Sequence, residues 1–178
     1  MYSRRIKTIL TPVDFSPATA LVIDAAIELA HAVNGKVELL HATQPPTADY
    51  GLAMENVQEI ISVSEKASRQ QLEHLLRRIS DRGVACTSVS THGPAVSGIV
   101  EQAKQLEASY VVMGSHGHTA LYDLLVGSTT HGVLKKTPCP ALSPRFNLSS
   151  VVGFPSRERS IRSWHELRCV DGIDSFTC

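Results

Sequence analysis

The chain is poor in aromatic residues, 5 % of 178, with a single tryptophan at Trp164, and it carries no excess of either charge. Seventeen basic and 17 acidic side chains give a formal net charge of zero. That balance argues against a nucleic-acid binder working through a broadly basic surface. It also removes the simplest electrostatic attraction to an anionic membrane. Long apolar runs are missing, since no segment approaches the roughly 20 residues needed to cross a bilayer. Met1–Arg5 is charged but leads into the strand-like run Ile6–Leu10 and not into a signal-peptide core. A cytoplasmic location is therefore expected. The four cysteines, Cys86, Cys139, Cys169 and Cys178, form no CxxC pair or metal-ligand spacing. They read as reduced, mostly structural thiols.

What the chain does have is alternation of strand and helix. Ile6–Val13 is a β-branched run ending in Pro12-Val13-Asp14-Phe15-Ser16-Pro17, where Ser16 suits a helix N-cap and Pro17 the first helical position. Leu21, Val22, Ala25, Ala26, Leu29, Ala30 and Val33 then recur at helical spacing, up to Gly35. Val37–Ala42 reads as a second strand, and Glu55–Arg82 as a long helix ended by Gly83. Its apolar face runs through Val57, Ile60, Ile61, Ala67, Leu72, Leu75, Leu76 and Ile79. Val84–Thr91 alternates as a strand near a sheet edge would. Pro94 opens a third helix with Ile99, Val100, Ala103 and Leu106 inward, and Tyr110–Met113 is a short apolar strand running into Gly114. This order implies a doubly wound, Rossmann-like α/β sheet of parallel strands with helices on both faces. In such sheets a ligand sits beyond the carboxyl ends of the strands, where strand order reverses. If the first and fourth strands are neighbours, the segments at Asp14 and Gly114 share that crevice.

The informative stretch is Gly114-Ser115-His116-Gly117, nine residues, then Gly127-Ser128-Thr129. Glycines let backbone N–H groups approach phosphate oxygens with no Cβ in the way. Gly127-Ser128-Thr129 also looks like the start of a helix through His131, Val133 and Leu134, where unpaired N–H donors favour an anion. Leu121–Val126 is apolar enough to pin the loop as a short helix. The bland alternative is a glycine-rich turn without a ligand. Three glycines, a Ser-Thr pair and a position after an apolar strand together favour the ligand.

The pattern G-x2-G-x9-G-[ST], met by Gly114, Gly117, Gly127 and Ser128, resembles the signature of the ATP-binding universal stress proteins. The likeness extends to Ile9–Ser16, to Leu39–Ala42 and to Leu134–Pro140, and covers about residues 4 to 142. It implies a five-stranded parallel sheet of order 3-2-1-4-5 and a regulatory or stress-response protein that binds ATP, with or without Mg2+. The resemblance places Asp14 on the ribose or adenine side, Ala42 backbone and Met113 around the adenine, and Gly117, Gly127, Ser128 and Thr129 on the phosphates; Pro12, Gly114 and His116 are expected at the same nucleotide site. His116, His118 and His131 could also converge on a metal, but no carboxylate or cysteine completes a set, and none is expected.

Turnover is expected to be slow or absent. No Gly-Lys-Ser/Thr follows the glycines as in a P-loop, and no lysine or arginine lies between Gly114 and Thr129 to stabilise a transferred phosphoryl group. No catalytic residue is assigned. A slow ATP-hydrolysing or nucleotide-transferring enzyme of a related α/β fold is the runner-up, and a ligand-free interaction module a third reading. The likeness fails at the end. Ser143-Pro144-Arg145 cuts the fifth strand short. Residues 1–144 read as the nucleotide-binding domain, and 145–178, with arginine but no lysine, as an atypical, weakly ordered tail. The family's last strand often pairs across a homodimer, so a dimer here is expected to be weakened or altered.

Overall fold

The structure, a computed structural model, describes residues 6–43, 54–114, 127–144 and 167–169. Among the described residues ten elements follow one another: β1 (Lys7–Pro12), α1 (Thr19–Val33), β2 (Gly35–Thr43), α2 (Met54–Ser80), β3 (Cys86–His92), α3 (Ala95–Gln105), β4 (Tyr110–Val112), α4 (Ser128–Leu134), β5 (Ala141–Pro144) and β6 (Leu167–Cys169). The sheet order is β3-β2-β1-β4-β5-β6. Its first five strands are parallel and in the order 3-2-1-4-5. β1 pairs with β2 on one side and β4 on the other, so the reversal of strand order falls at its carboxyl end.

Side-chain alternation along the strands separates two cores. Ile9, Val37 and Leu39 pack with α1 and the second half of α2, through Val22, Ile23, Ala26, Ile27, Leu72, Leu75 and Ile79. Leu10, Leu40, Val111 and Met113 pack on the other face with Ile99 and Ala103 of α3 and Val133 of α4. Both faces are thus covered, as a parallel sheet requires. β3 is an edge strand with a half-exposed pattern, as its alternating sequence suggests.

Four local expectations need correction. Helix α1 starts at Thr19, not Pro17, with Ala18 as its uncapped N-cap. Ser16 is instead the acceptor end of a turn, its carbonyl taking the Thr19 N–H at 2.9 Å. The left-handed residue that ends α1 is Asn34, φ 52°, and Gly35 already belongs to β2. Ala67 is exposed, because the described side chains of α2 become buried only from Leu72 onward; those of Val57 and Ile60 lie outside the described residues. The tail also contributes to the sheet: β6 pairs antiparallel with β5 through Leu142↔Cys169, Ser143↔Arg168 and Pro144↔Leu167. β5 itself is only four residues long, as its proline demands. No helix among the described residues is long and apolar enough to cross a membrane.

Candidate functional site

A pocket of about 260 Å³ opens at the carboxyl ends of β1, β2 and β4. That is slightly below the roughly 300–1,000 Å³ of small-molecule clefts. Eight of the ten residues expected at the site line it: Pro12, Asp14, Ala42, Met113, Gly114, Gly127, Ser128 and Thr129. His116 and Gly117 lie outside the described residues, as do His118 and Leu121–Val126. His131 is exposed one turn into α4 and does not line the pocket.

Each contribution has a local cause. After Pro12 the chain leaves the sheet; the Val13 N–H makes a last bond to the Leu40 carbonyl at 2.8 Å. In a parallel ladder alternate residues of a strand turn both backbone groups to the same neighbour. The N–H and C=O of Ala42 therefore point the same way as those of Leu40, past the end of β1 and onto the pocket. Asp14 is exposed, and its carboxylate accepts the Ser16 N–H at 3.0 Å within its own turn. The carboxylate thus braces the turn that carries it.

The second side is held by a residue that sequence reasoning missed. Thr130 is buried, and its hydroxyl donates to the Gly114 carbonyl at 2.8 Å. This bond ties the first turn of α4 to the end of β4. Gly127, the N-cap, has φ −59° and ψ 150°, a conformation open to any residue. Backbone freedom therefore does not call for a glycine there. Ser128 is exposed and Thr129 half-buried beside it.

Other wall residues went unread as such. Leu40, Ala95 and Ile99 join the expected Met113 in an apolar side where α3 approaches the sheet. Helical and strand periodicity marked most of them as core, and nothing in one sequence distinguishes a core leucine from one facing a cleft. Ser16 and Thr19 line the pocket as well, and their buried hydroxyls make no hydrogen bond among the described residues. An unpaired buried hydroxyl costs on the order of 1–3 kcal/mol, a cost that natural proteins tolerate mostly at functional places. The two described free thiols stand apart from this site. Burial pushes both Cys86 and Cys139 up in pKa, with the Glu38 carboxylate adding to the effect at Cys86. Among the described residues no group of three or more histidine, cysteine, aspartate or glutamate side chains is placed to hold a metal.

Fold and site together define a doubly wound α/β domain with a polar-and-apolar crevice at the switch point of its sheet. The universal stress protein family model matches residues 5–143, and the chain belongs to that family. The relative YxiE of Bacillus subtilis is 27% identical over 143 residues, covering 76% of this chain and 97% of its own. The solved structure of MJ0577, from Methanocaldococcus jannaschii, aligns with a TM-score of 0.67 at 26% identity, covering 76% of this chain and 92% of that one. Two further universal stress proteins share the fold. One was solved with cAMP, at TM-score 0.55 and 20% identity, covering 77% of this chain and 94% of its own. The other, from Archaeoglobus fulgidus, was solved with dAMP, at TM-score 0.54 and 17% identity, covering 77% of this chain and 95% of its own.

Proposed function

We propose that the crevice binds ATP and that the protein acts as a cytoplasmic, nucleotide-responsive regulator of a stress response with little or no turnover. The observation that carries this reading is the convergence of Asp14, the Ala42 backbone, Met113-Gly114 and Gly127–Thr129 on one pocket. An adjacent backbone donor and acceptor at Ala42 match the ring nitrogen and amino group along the adenine edge. Leu40, Ala95, Ile99 and Met113 supply an apolar slot for its faces. Asp14 suits ribose hydroxyls and would repel a phosphate, so it belongs at the nucleoside end. Gly127, Ser128 and Thr129 offer space and donors for phosphate oxygens. Two proteins of the same fold, solved with cAMP and with dAMP, make an adenine nucleotide the natural class of ligand.

Mg2+ would arrive on the phosphates, because Asp14 is the only carboxylate among the described wall residues. Slow turnover follows from the absence of lysine and arginine between Gly114 and Thr129. A homodimer, where it forms, uses a surface other than the β5 edge that β6 covers.

The test is calorimetry on Asp14→Ala with ATP and with AMP. Losing one charge-assisted bond to a sugar hydroxyl costs roughly 1.5–3 kcal/mol, about ten- to a hundredfold in affinity. The loss is expected with both nucleotides, since it arises at the nucleoside. A loss seen with ATP and absent with AMP contradicts the assignment.

A further inference from the structure

His41 lies outside the pocket wall, yet it grips the chain on both sides of Asp14. Alternation along β2 turns its side chain to the α1–α2 face, opposite to Ala42. Its Nδ1 stands 2.9 Å from the Val13 carbonyl oxygen. A carbonyl only accepts, so Nδ1 carries the hydrogen and donates. Nε2 faces the Ser68 hydroxyl of α2 at 3.5 Å. The ring also meets that of Phe15, with centroids 4.4 Å apart and an interplanar angle of 39°.

The gripped turn needs such support. Phe15 has φ 58°, the left-handed region, which a bulky side chain rarely occupies unless its surroundings impose it. The bond from the Ser16 N–H to Asp14 is internal to the turn and cannot fix the turn against the sheet. Ties that do so include the Val13 N–H bond to Leu40, the packing of Phe15 on the core beneath α1 and the two contacts of His41. His41 also claims the Val13 carbonyl, the group a continuing ladder would offer to the Ala42 N–H.

We infer that His41 is a positioning residue of the pocket: its ring sets the aim of Asp14 and leaves the Ala42 backbone facing the ligand. The inference rests on the nucleotide-binding reading above but acts through the turn, without contact to the nucleotide.

Two variants separate the bond from the ring. His41→Phe keeps a ring against Phe15 and loses the donor, whereas His41→Asn offers an amide N–H near the place of Nδ1. Calorimetry with ATP is expected to show about tenfold weaker binding for H41F and a return to within about threefold of wild type for H41N. In an Asp14→Ala background, H41F is expected to cost at least about threefold less than in the wild type, since the part of its effect that acts through Asp14 is already lost. Full additivity, or an H41N as weak as H41F, overturns the proposal. A nucleotide-free readout is hydrogen exchange at the Ser16 amide, expected to speed about tenfold in H41F with the global melting transition little changed. Unchanged exchange there overturns the proposal by itself. If the wild-type protein binds no ATP while H41F still loosens the Ser16 amide, the nucleotide reading falls and the positioning role stands.

Discussion

A methyl group on residue 35 would stand 2.7 Å from the Lys7 carbonyl oxygen, closer than carbon and backbone oxygen can sit. Gly35 is thus required by the approach of β2 to β1, while the left-handed turn before it is carried by Asn34. Gly35→Ala forces one of the two innermost parallel strands to shift, and overpacking of this kind costs about 1–3 kcal/mol. Chemical denaturation is expected to show that loss as a lower midpoint with an unchanged slope. Sequence pattern marked the glycine but misjudged its job, because a strand's close neighbour is invisible until the pairing is known. Asp14 and Gly114 were legible because each lies one residue beyond the apolar run of a strand, and Gly127 because the spacing of the glycines resembles the family signature. Thr130 and the place of His41 were not, since each is fixed by a hydrogen bond to a distant backbone carbonyl. The thiols yield a further residue-scale prediction. Burial raises the pKa of Cys86 and Cys139, so each holds its proton in the folded chain more strongly than in the unfolded one. Both should react slowly with a thiol reagent at neutral pH and faster in denaturant. By linkage their contribution to stability is present at neutral pH and is lost as alkaline pH ionises the unfolded thiols first. Rapid neutral alkylation of the folded protein contradicts this.

Helix α2 is held chiefly by its second half. Its described side chains before Leu72 are mostly exposed, and Leu72, Leu75 and Ile79 anchor its second half in the core. Its polar tie to α1 is Arg78, which donates to both oxygens of Asp24 at 2.8 and 2.9 Å, with Arg82 at 4.0 Å. These groups are more than a third exposed, so solvent screens them. Arg78→Ala is expected to cost under about 1 kcal/mol, less in high salt. Leu75→Ala, by contrast, should cost about 2–5 kcal/mol by leaving a cavity under α2. Thermal melts of the two variants side by side check that ordering. Element type and order were readable from periodicity, because each buried face repeats at its own period. Element ends were not. α1 begins late because a turn closed by the Ser16 carbonyl occupies the residues that capping preference assigned to the helix. β6 was unreadable, since three tail residues acquire strand geometry only by pairing with β5.

For the molecule as a whole, β6 changes what the sheet can offer. Its antiparallel pairing sets Arg168 against Ser143, whose backbone groups face the outer side of β5, whereas Leu142 turns its carbonyl inward to the Met113 N–H. An uncovered strand edge is a template for another chain. A truncation after Pro144 is therefore expected to associate more than the full chain in light scattering across a concentration series. The same truncation should keep ATP affinity within about threefold, because the described wall residues all fall between Pro12 and Thr130. A tight dimer of the full chain that is lost on truncation would instead give the tail an assembling role. Whether the crevice at the switch point takes ATP is decided by one titration. The purified chain, stripped of nucleotide, is titrated with ATP by calorimetry beside Gly127→Val, which puts a branched side chain at a wall residue proposed to meet phosphate. Saturable one-site binding to the wild type and a loss of at least about tenfold in the folded variant are expected. Equal affinity in the two, or no heat of binding in the wild type, contradicts ATP binding in the crevice.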